Sequence, residues 1–179
     1  MTKYVALLRA INVGGHTVKM DQLRRLFEEL GFDAVETFIA SGNVIFDAED
    51  DDVAALERRI EAHLQASLGY AVGTFLRTPR ELAGAAAHEP FARVDGDSLY
   101  VTFFRAPPTE AARKAIAALN GDDDRFALHG RELYWWRNGR MSDSKITGAQ
   151  LEKALGQPGT NRNITTVRNL AAKYPPRGA

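Results

Sequence analysis

Tyr4-Val5-Ala6-Leu7-Leu8-Arg9-Ala10-Ile11-Asn12-Val13-Gly14-Gly15 reads as an apolar strand that runs into a polar, glycine-rich turn, and its first seven residues return as Tyr100-Val101-Thr102-Phe103-Phe104-Arg105-Ala106. Four of the seven positions are identical and two of the others keep apolar bulk. The order of signals after each copy repeats as well. After the first, Leu23, Leu26, Phe27 and Leu30 mark one face of a helix, and Gly31 stands where a C-terminal cap belongs. After the second, Pro107-Pro108 open a helix with Ala112, Ile116 and Leu119 inward, ending at Asn120-Gly121. A hairpin is expected after each helix. The first joins residues 35–39 to 44–46 around Ser41-Gly42-Asn43, and the second joins 125–128 to 132–136 around Gly130-Arg131.

The first half continues with Asp50-Asp51-Asp52, which offers a cap and favourable dipole charge to a helix whose buried stripe is Val53, Leu56, Ile60 and Leu64. A strand over 71–77 completes βαββαβ. Thr78-Pro79-Arg80-Glu81 is a capping box with Pro at the first helical position, starting a connecting helix to about Ala87. The segment 89–97, with Pro90 and Gly96, marks the boundary between the halves. Helices over 148–155 and 164–174 follow in the second half. The expected fold is α+β: two tandem ferredoxin-like (split βαβ) units related by internal duplication. The first occupies residues 1–90. The second occupies 98–179 and is modified at its C-terminal end, a βαββ unit followed by two helices.

Three of these stretches occur in the order found in the bacterial domain-of-unknown-function 1697 family, which the chain resembles over nearly all of its length. Members begin with a strand reading A-L-L-R-G-I-N-V-G-G, continue with a Met-led helix and an S-G-N-V hairpin, and carry T-x-R-N-x-x-T-V near the end. That last motif stands here as Thr160-Asn161-Arg162-Asn163-Ile164-Thr165-Thr166-Val167. One departure is Ala10, where the family usually has Gly, which implies that glycine's backbone freedom is not needed at that position. The resemblance brings no reaction, cofactor or partner.

Composition narrows the function classes. A chain of 179 residues buries roughly 70% of the surface its unfolded form exposes, so it needs no staples. The absence of Cys removes thiol nucleophiles and thiolate metal sites, and the histidines at 16, 63, 88 and 129 lack ligand spacing. No metal and no cofactor is expected. Arg9 interrupts the first apolar run before it can serve as a signal-peptide core, and no later run reaches membrane-spanning length, so a cytoplasmic protein without membrane contact is expected. With 23 basic and 23 acidic residues the net charge is zero, which disfavours nonspecific attraction to nucleic acid.

Strand patterning adds a demand. Val44-Ile45-Phe46, Phe103-Phe104 and Tyr134-Trp135-Trp136 are apolar on both faces, so something must cover the second face. The other half of the chain or the partner in a homodimer would do so. The alternative is an aromatic platform for bases like that of RRM domains, but the basic-aromatic-Gly signature of such a strand is missing.

Candidate binding groups fall in three places. The loop Asn12-Val13-Gly14-Gly15-His16-Thr17-Val18-Lys19 joins a strand to a helix, and with Arg9 it can present backbone N–H groups and cations to a phosphate, although it has neither Walker nor G-x-G-x-x-G spacing. Ser41-Gly42-Asn43 is first a hairpin turn, and it is not a nucleophile elbow, because a strand and not a helix follows. A polar contact from Ser41 or Asn43 to a ligand is the functional reading. Arg162, Asn163 and Thr166 gather at the start of the last helix, where free N–H groups, a guanidinium and hydroxyls suit an anion, with Lys145 in the preceding loop. Asn163 is equally a good N-cap. The acidic runs 47–52 and 122–124 lack calcium-loop spacing, and Glu28, Glu29, Glu57 and Glu61 read as polar helix faces. The expected function is binding of an anionic, phosphate-bearing small molecule or nucleotide at the junction of the halves. The alternatives are an enzyme acting on a phosphoryl or acyl substrate and a dimeric interaction module.

Overall fold

The computed structural model describes residues 1–12, 14–39 and 42–178. The chain divides into two compact units: Met1–Ala83 together with the stretch from Leu170, and Gly84–Asn169. In the first, β1 (Thr2–Arg9), α1 (Met20–Glu29), β2 (Asp33–Thr37), β3 (Asn43–Ala48), α2 (Val53–Leu68) and β4 (Gly73–Arg77) follow one another. Its strands pair antiparallel in the order β2-β3-β1-β4. After α3 (Pro79–Ala87) come β5 (Ser98–Phe103), α4 (Glu110–Ala117), β6 (Asp124–His129), β7 (Glu132–Arg137), α5 (Gly148–Leu155), β8 (Thr160–Asn163) and α6 (Ile164–Lys173). The second sheet is antiparallel in the order β6-β7-β5-β8.

Local chemistry sets the helix ends. The Asp52 carboxylate accepts the Ala55 N–H at 3.0 Å and starts α2. Thr78 and Glu81 exchange hydrogen bonds at the start of α3, at 2.9 and 3.2 Å, as a capping box should. Gly31, at φ +82°, ends the first helix by donating to the Glu28 carbonyl. The fourth helix differs from expectation: it begins at Glu110, with Thr109 accepting from the Ala112 N–H. Pro107-Pro108 therefore lie before the cap, where proline biases its predecessor toward extended backbone.

The larger difference is β8. Thr160–Asn163, read from the sequence as lying at or before the N-terminus of the last helix, is a strand against β5, with Tyr100 opposite Asn163 and Phe103 opposite Thr160. The segment from β5 to β8 thus repeats the element and strand order of the segment from β1 to β4, and α6 follows it in the chain.

In the first unit, Tyr4, Ala6 and Leu8 of β1 and Val44 and Phe46 of β3 pack with the buried stripes of α1 and α2. Phe46 stacks on Phe32 at 4.3 Å between centroids. In the second, Phe104, Leu133 and Trp135 pack with Ile116, Leu151 and Leu155. The opposite sheet faces are buried as well, by Val5, Leu7, Ile45 and Phe75 in one unit and Val101, Phe103 and Tyr134 in the other. Phe46, Phe103, Phe104, Tyr134 and Trp135 are buried in the single chain and cannot stack on bases. Only Trp136 of the rings named is half-buried, with its Nε1 donating to Asp97 at 3.0 Å, so these strands do not form a continuous exposed aromatic platform.

Sheet edges carry backbone groups that need partners. At β4 the Thr74 and Leu76 N–H groups donate to Glu61 and Glu57 of α2, at 2.9 and 3.1 Å. Glu57 is only 4% exposed. The sequence reading of these glutamates as a solvated helix face is therefore corrected: they are turned inward to satisfy an edge strand. Among the described residues no helix is long and apolar enough to cross a membrane.

Candidate functional site

The polar groups of the first unit converge where β1 leaves its sheet. Leu7 lies opposite Asn43 of β3 and Arg9 opposite Gly73 of β4, so the end of β1, the β2–β3 turn and the start of β4 share one end of the sheet. A Cβ on Gly73 would sit 3.4 Å from the Arg9 Cβ and 3.7 Å from its Cδ, so the glycine gives the half-buried Arg9 stem its bed.

From Arg9 the chain turns through Ala10 at φ +61°. This corrects the inference drawn from Ala at a family glycine position: the left-handed backbone is used here, and Ala adopts it against its preference. Ile11 is buried, and the Asn12 side-chain oxygen accepts the Val18 N–H at 2.9 Å, closing the loop. Gly14 and Gly15 follow at φ +62° and +82°. The His16 ring stacks on Tyr70, centroids 4.1 Å apart and planes at 21°, and the Tyr70 hydroxyl donates to the Ile11 carbonyl at 2.7 Å. Lys19, exposed, is the residue before α1, and its side chain makes no capping hydrogen bond.

The hairpin turn presses on this loop. A Cβ on Gly42, at φ +81°, would meet Ile11 Cγ2 at 3.0 Å and Leu8 Cβ at 3.1 Å, so only glycine fits. Asn43 is 1% exposed and its side-chain amide donates to the Phe38 carbonyl at 2.9 Å. It clamps the turn from within and does not present its amide to solvent. Ser41 and Val13 lie outside the described residues.

The second-half candidates sit differently. Arg162 is 7% exposed in β8, opposite Val101, and its Nη1 donates to Thr160 Oγ1 at 2.9 Å and the Asn161 carbonyl at 2.8 Å. Burial pulls its pKa down to about 10. It is a buried strand residue, because alternation along β8 turns Thr160 and Arg162 inward and Asn161 and Asn163 outward. It has a counterpart: Arg77 of β4 lies opposite Val5, is 1% exposed, and likewise donates Nη1 to the preceding carbonyl, that of Leu76, at 2.9 Å. Asn163 caps α6 by accepting the Thr165 N–H at 2.9 Å, and Thr166 is half-buried in that first turn. Lys145 lines a 360 Å³ cavity with Asp122, Asp123, Asp124, Arg137 and Asp143, where acids outnumber bases. That cavity is at β6, and β8 is the opposite edge of the same sheet, three strand spacings or roughly 14 Å away. Lys145 and Arg162 therefore do not converge.

Other groups came together that sequence spacing hid. His88 and His129 stack at 3.9 Å with Tyr134 tilted against His88 at 5.0 Å. Burial, then the neighbouring His129, lowers the His88 pKa, and Glu132 partly offsets this. Asp124 accepts from Trp135 Nε1, Ser144 and Arg137 at 2.8, 2.8 and 2.6 Å, which makes the last of the acidic run a structural hub. Among the described residues no cluster of three or more His, Asp or Glu is arranged to hold a metal ion. Two further cavities of the first unit lie at the far end of its sheet. One, of 440 Å³, is lined by acids and Arg59, and the other, of 430 Å³, includes Lys3, Arg80 and Arg177. Lys3 and Arg177 are already paired with Asp47, at 2.9 and 3.3 Å.

No curated protein matches the chain. Among solved structures, the conserved bacterial protein SP0830 from Streptococcus pneumoniae superimposes with a TM-score of 0.77 at 23% identity, over 97% of this chain and 98% of that one. At that identity the likeness speaks for the fold alone. The motifs at the end of β1 and in the following hairpin fall within residues 1–134, which match the model for the protein of unknown function family DUF1697, and this chain belongs to that family.

Proposed function

We propose that the protein binds a small, anionic, phosphate-bearing molecule at the end of the first sheet, where β1 runs into the glycine loop. The observation that carries the reading is the left-handed backbone gathered there: Ala10, Gly14, Gly15, Ile39 and Gly42 all have φ between +57° and +82°. Ala10 and Ile39 each cost about 1–2 kcal/mol in that region, and Ile39 is also β-branched and 48% exposed. Such turns direct successive N–H groups to one side and favour anions. Arg9 and Lys19 at the two roots of the loop supply charge.

From the groups named by the sequence this reading keeps Arg9, Asn12 and Lys19, with Asn43 as clamp of the adjoining turn. It omits Lys145, Arg162, Asn163 and Thr166. We read each unit as ferredoxin-like and the pair as an internal duplication, a view supported by their common strand order and by Arg77 and Arg162 at equal register. A cytoplasmic setting fits a chain without Cys.

Titration calorimetry with inorganic phosphate and ribose 5-phosphate tests the reading. Lys19→Ala and Arg9→Ala should each weaken ribose 5-phosphate by about 1.5–3 kcal/mol, the range for a hydrogen bond to a charged group. Absence of binding to the wild type, or wild-type affinity retained by both variants, refutes it.

A further inference from the structure

We infer that the ligand of this loop is a nucleoside phosphate whose base stacks on His16, an inference that rests on the phosphate-binding reading above. The exposed His16 ring already forms one layer of a stack, 4.1 Å from Tyr70 and within 21° of parallel. Both layers are tethered to the same loop. Tyr70 is tied through its hydroxyl to the Ile11 carbonyl, and the loop that carries His16 is closed by the Asn12–Val18 hydrogen bond. A ring held in this way loses little freedom when a third layer is added.

The third layer must be planar, apolar on its faces and attached to an anion. A nucleobase on a sugar phosphate satisfies all three. His16 and Lys19 are three residues apart, so at most about 11 Å of extended chain separates them, within the span of one nucleotide. Stacking does not discriminate among bases, because every base has a π-face, so the inference names a class and not one base. A mononucleotide suits the site better than a strand: the platform is a single ring pair, and a chain of zero net charge has little to offer a polyanionic backbone.

The experiment compares AMP, ribose 5-phosphate and adenosine by calorimetry on the full chain. AMP should bind roughly 5- to 150-fold tighter than ribose 5-phosphate, the range for stacking one base on an aromatic side chain. His16→Ala should reduce that ratio to about one while leaving ribose 5-phosphate unchanged, and His16→Phe should restore it. Lys19→Ala should weaken both phosphates and leave adenosine unaffected. Equal affinity of wild type for AMP and ribose 5-phosphate, or a ratio that survives in His16→Ala, overturns the stack and leaves the phosphate reading standing. Failure of both phosphates to bind overturns that reading, and the inference with it.

Discussion

Ala10→Gly should stabilise the protein, although most substitutions to glycine do the reverse. Ala10 sits at φ +61°, where an L-residue's Cβ crowds the following carbonyl at a cost of about 1–2 kcal/mol. Glycine abolishes that crowding but gives the unfolded chain more freedom, a loss of about 0.4–1 kcal/mol. The difference favours glycine by about 0.5–1 kcal/mol. For a chain of this size that raises the midpoint of thermal unfolding by about 1–4 °C. The assay is scanning calorimetry supported by urea unfolding, with Ala62→Gly as a control of opposite sign. Ala62 is exposed within α2 and should lose about 1 kcal/mol on the same change. If Ala10→Gly destabilises as much as Ala62→Gly does, Ala10 is not left-handed in solution, and the reading of a strained loop falls.

Two further outcomes concern Arg162, which is buried, and His88, which is half-buried. Arg162→Ala should cost about 2–5 kcal/mol by leaving a cavity, whereas Arg162→Met, which keeps volume and removes a charge that burial opposes, should cost at most about 1.5 kcal/mol in urea unfolding. An alanine variant as stable as wild type would contradict the buried position of this residue. For His88, the folded-state pKa lies below the unfolded value of about 6.5, so the unfolded chain binds more protons in between. Its contribution is complete above pH of about 6.5 and is lost as pH falls through the folded value. The groups facing it are His129, Glu132 and Tyr134. His88→Gln should therefore flatten the fall in unfolding midpoint between about pH 7 and pH 5, and an unchanged slope refutes the assignment.

Much of the fold is written in local signals. The recurrence of the Tyr4 strand as the Tyr100 strand, the stripe Leu23, Leu26, Phe27, and the caps at Asp52, Thr78 and Gly31 each act over a few residues, so spacing alone reveals them. β8 escaped because its alternation is carried by Thr160 and Arg162, polar residues that register as inward-facing only once β5 lies beside them. The same cause moved Arg162 from a supposed binding group to a buried one, since burial is a property of the sheet and not of the residue type.

The candidate site divides in the same way. The sequence by itself determined that glycines and polar residues collect after β1 and in the next hairpin, because the turns there require them. Only the tertiary structure decided which of those groups face solvent. Asn43 turns inward to hold Phe38, Ala10 takes a backbone conformation that its side chain resists, and His16 comes to rest on Tyr70, 54 positions away along the chain. Such pairings depend on where β1 and β4 bring their ends together. That follows from the antiparallel register of the sheet, which no short stretch of residues encodes.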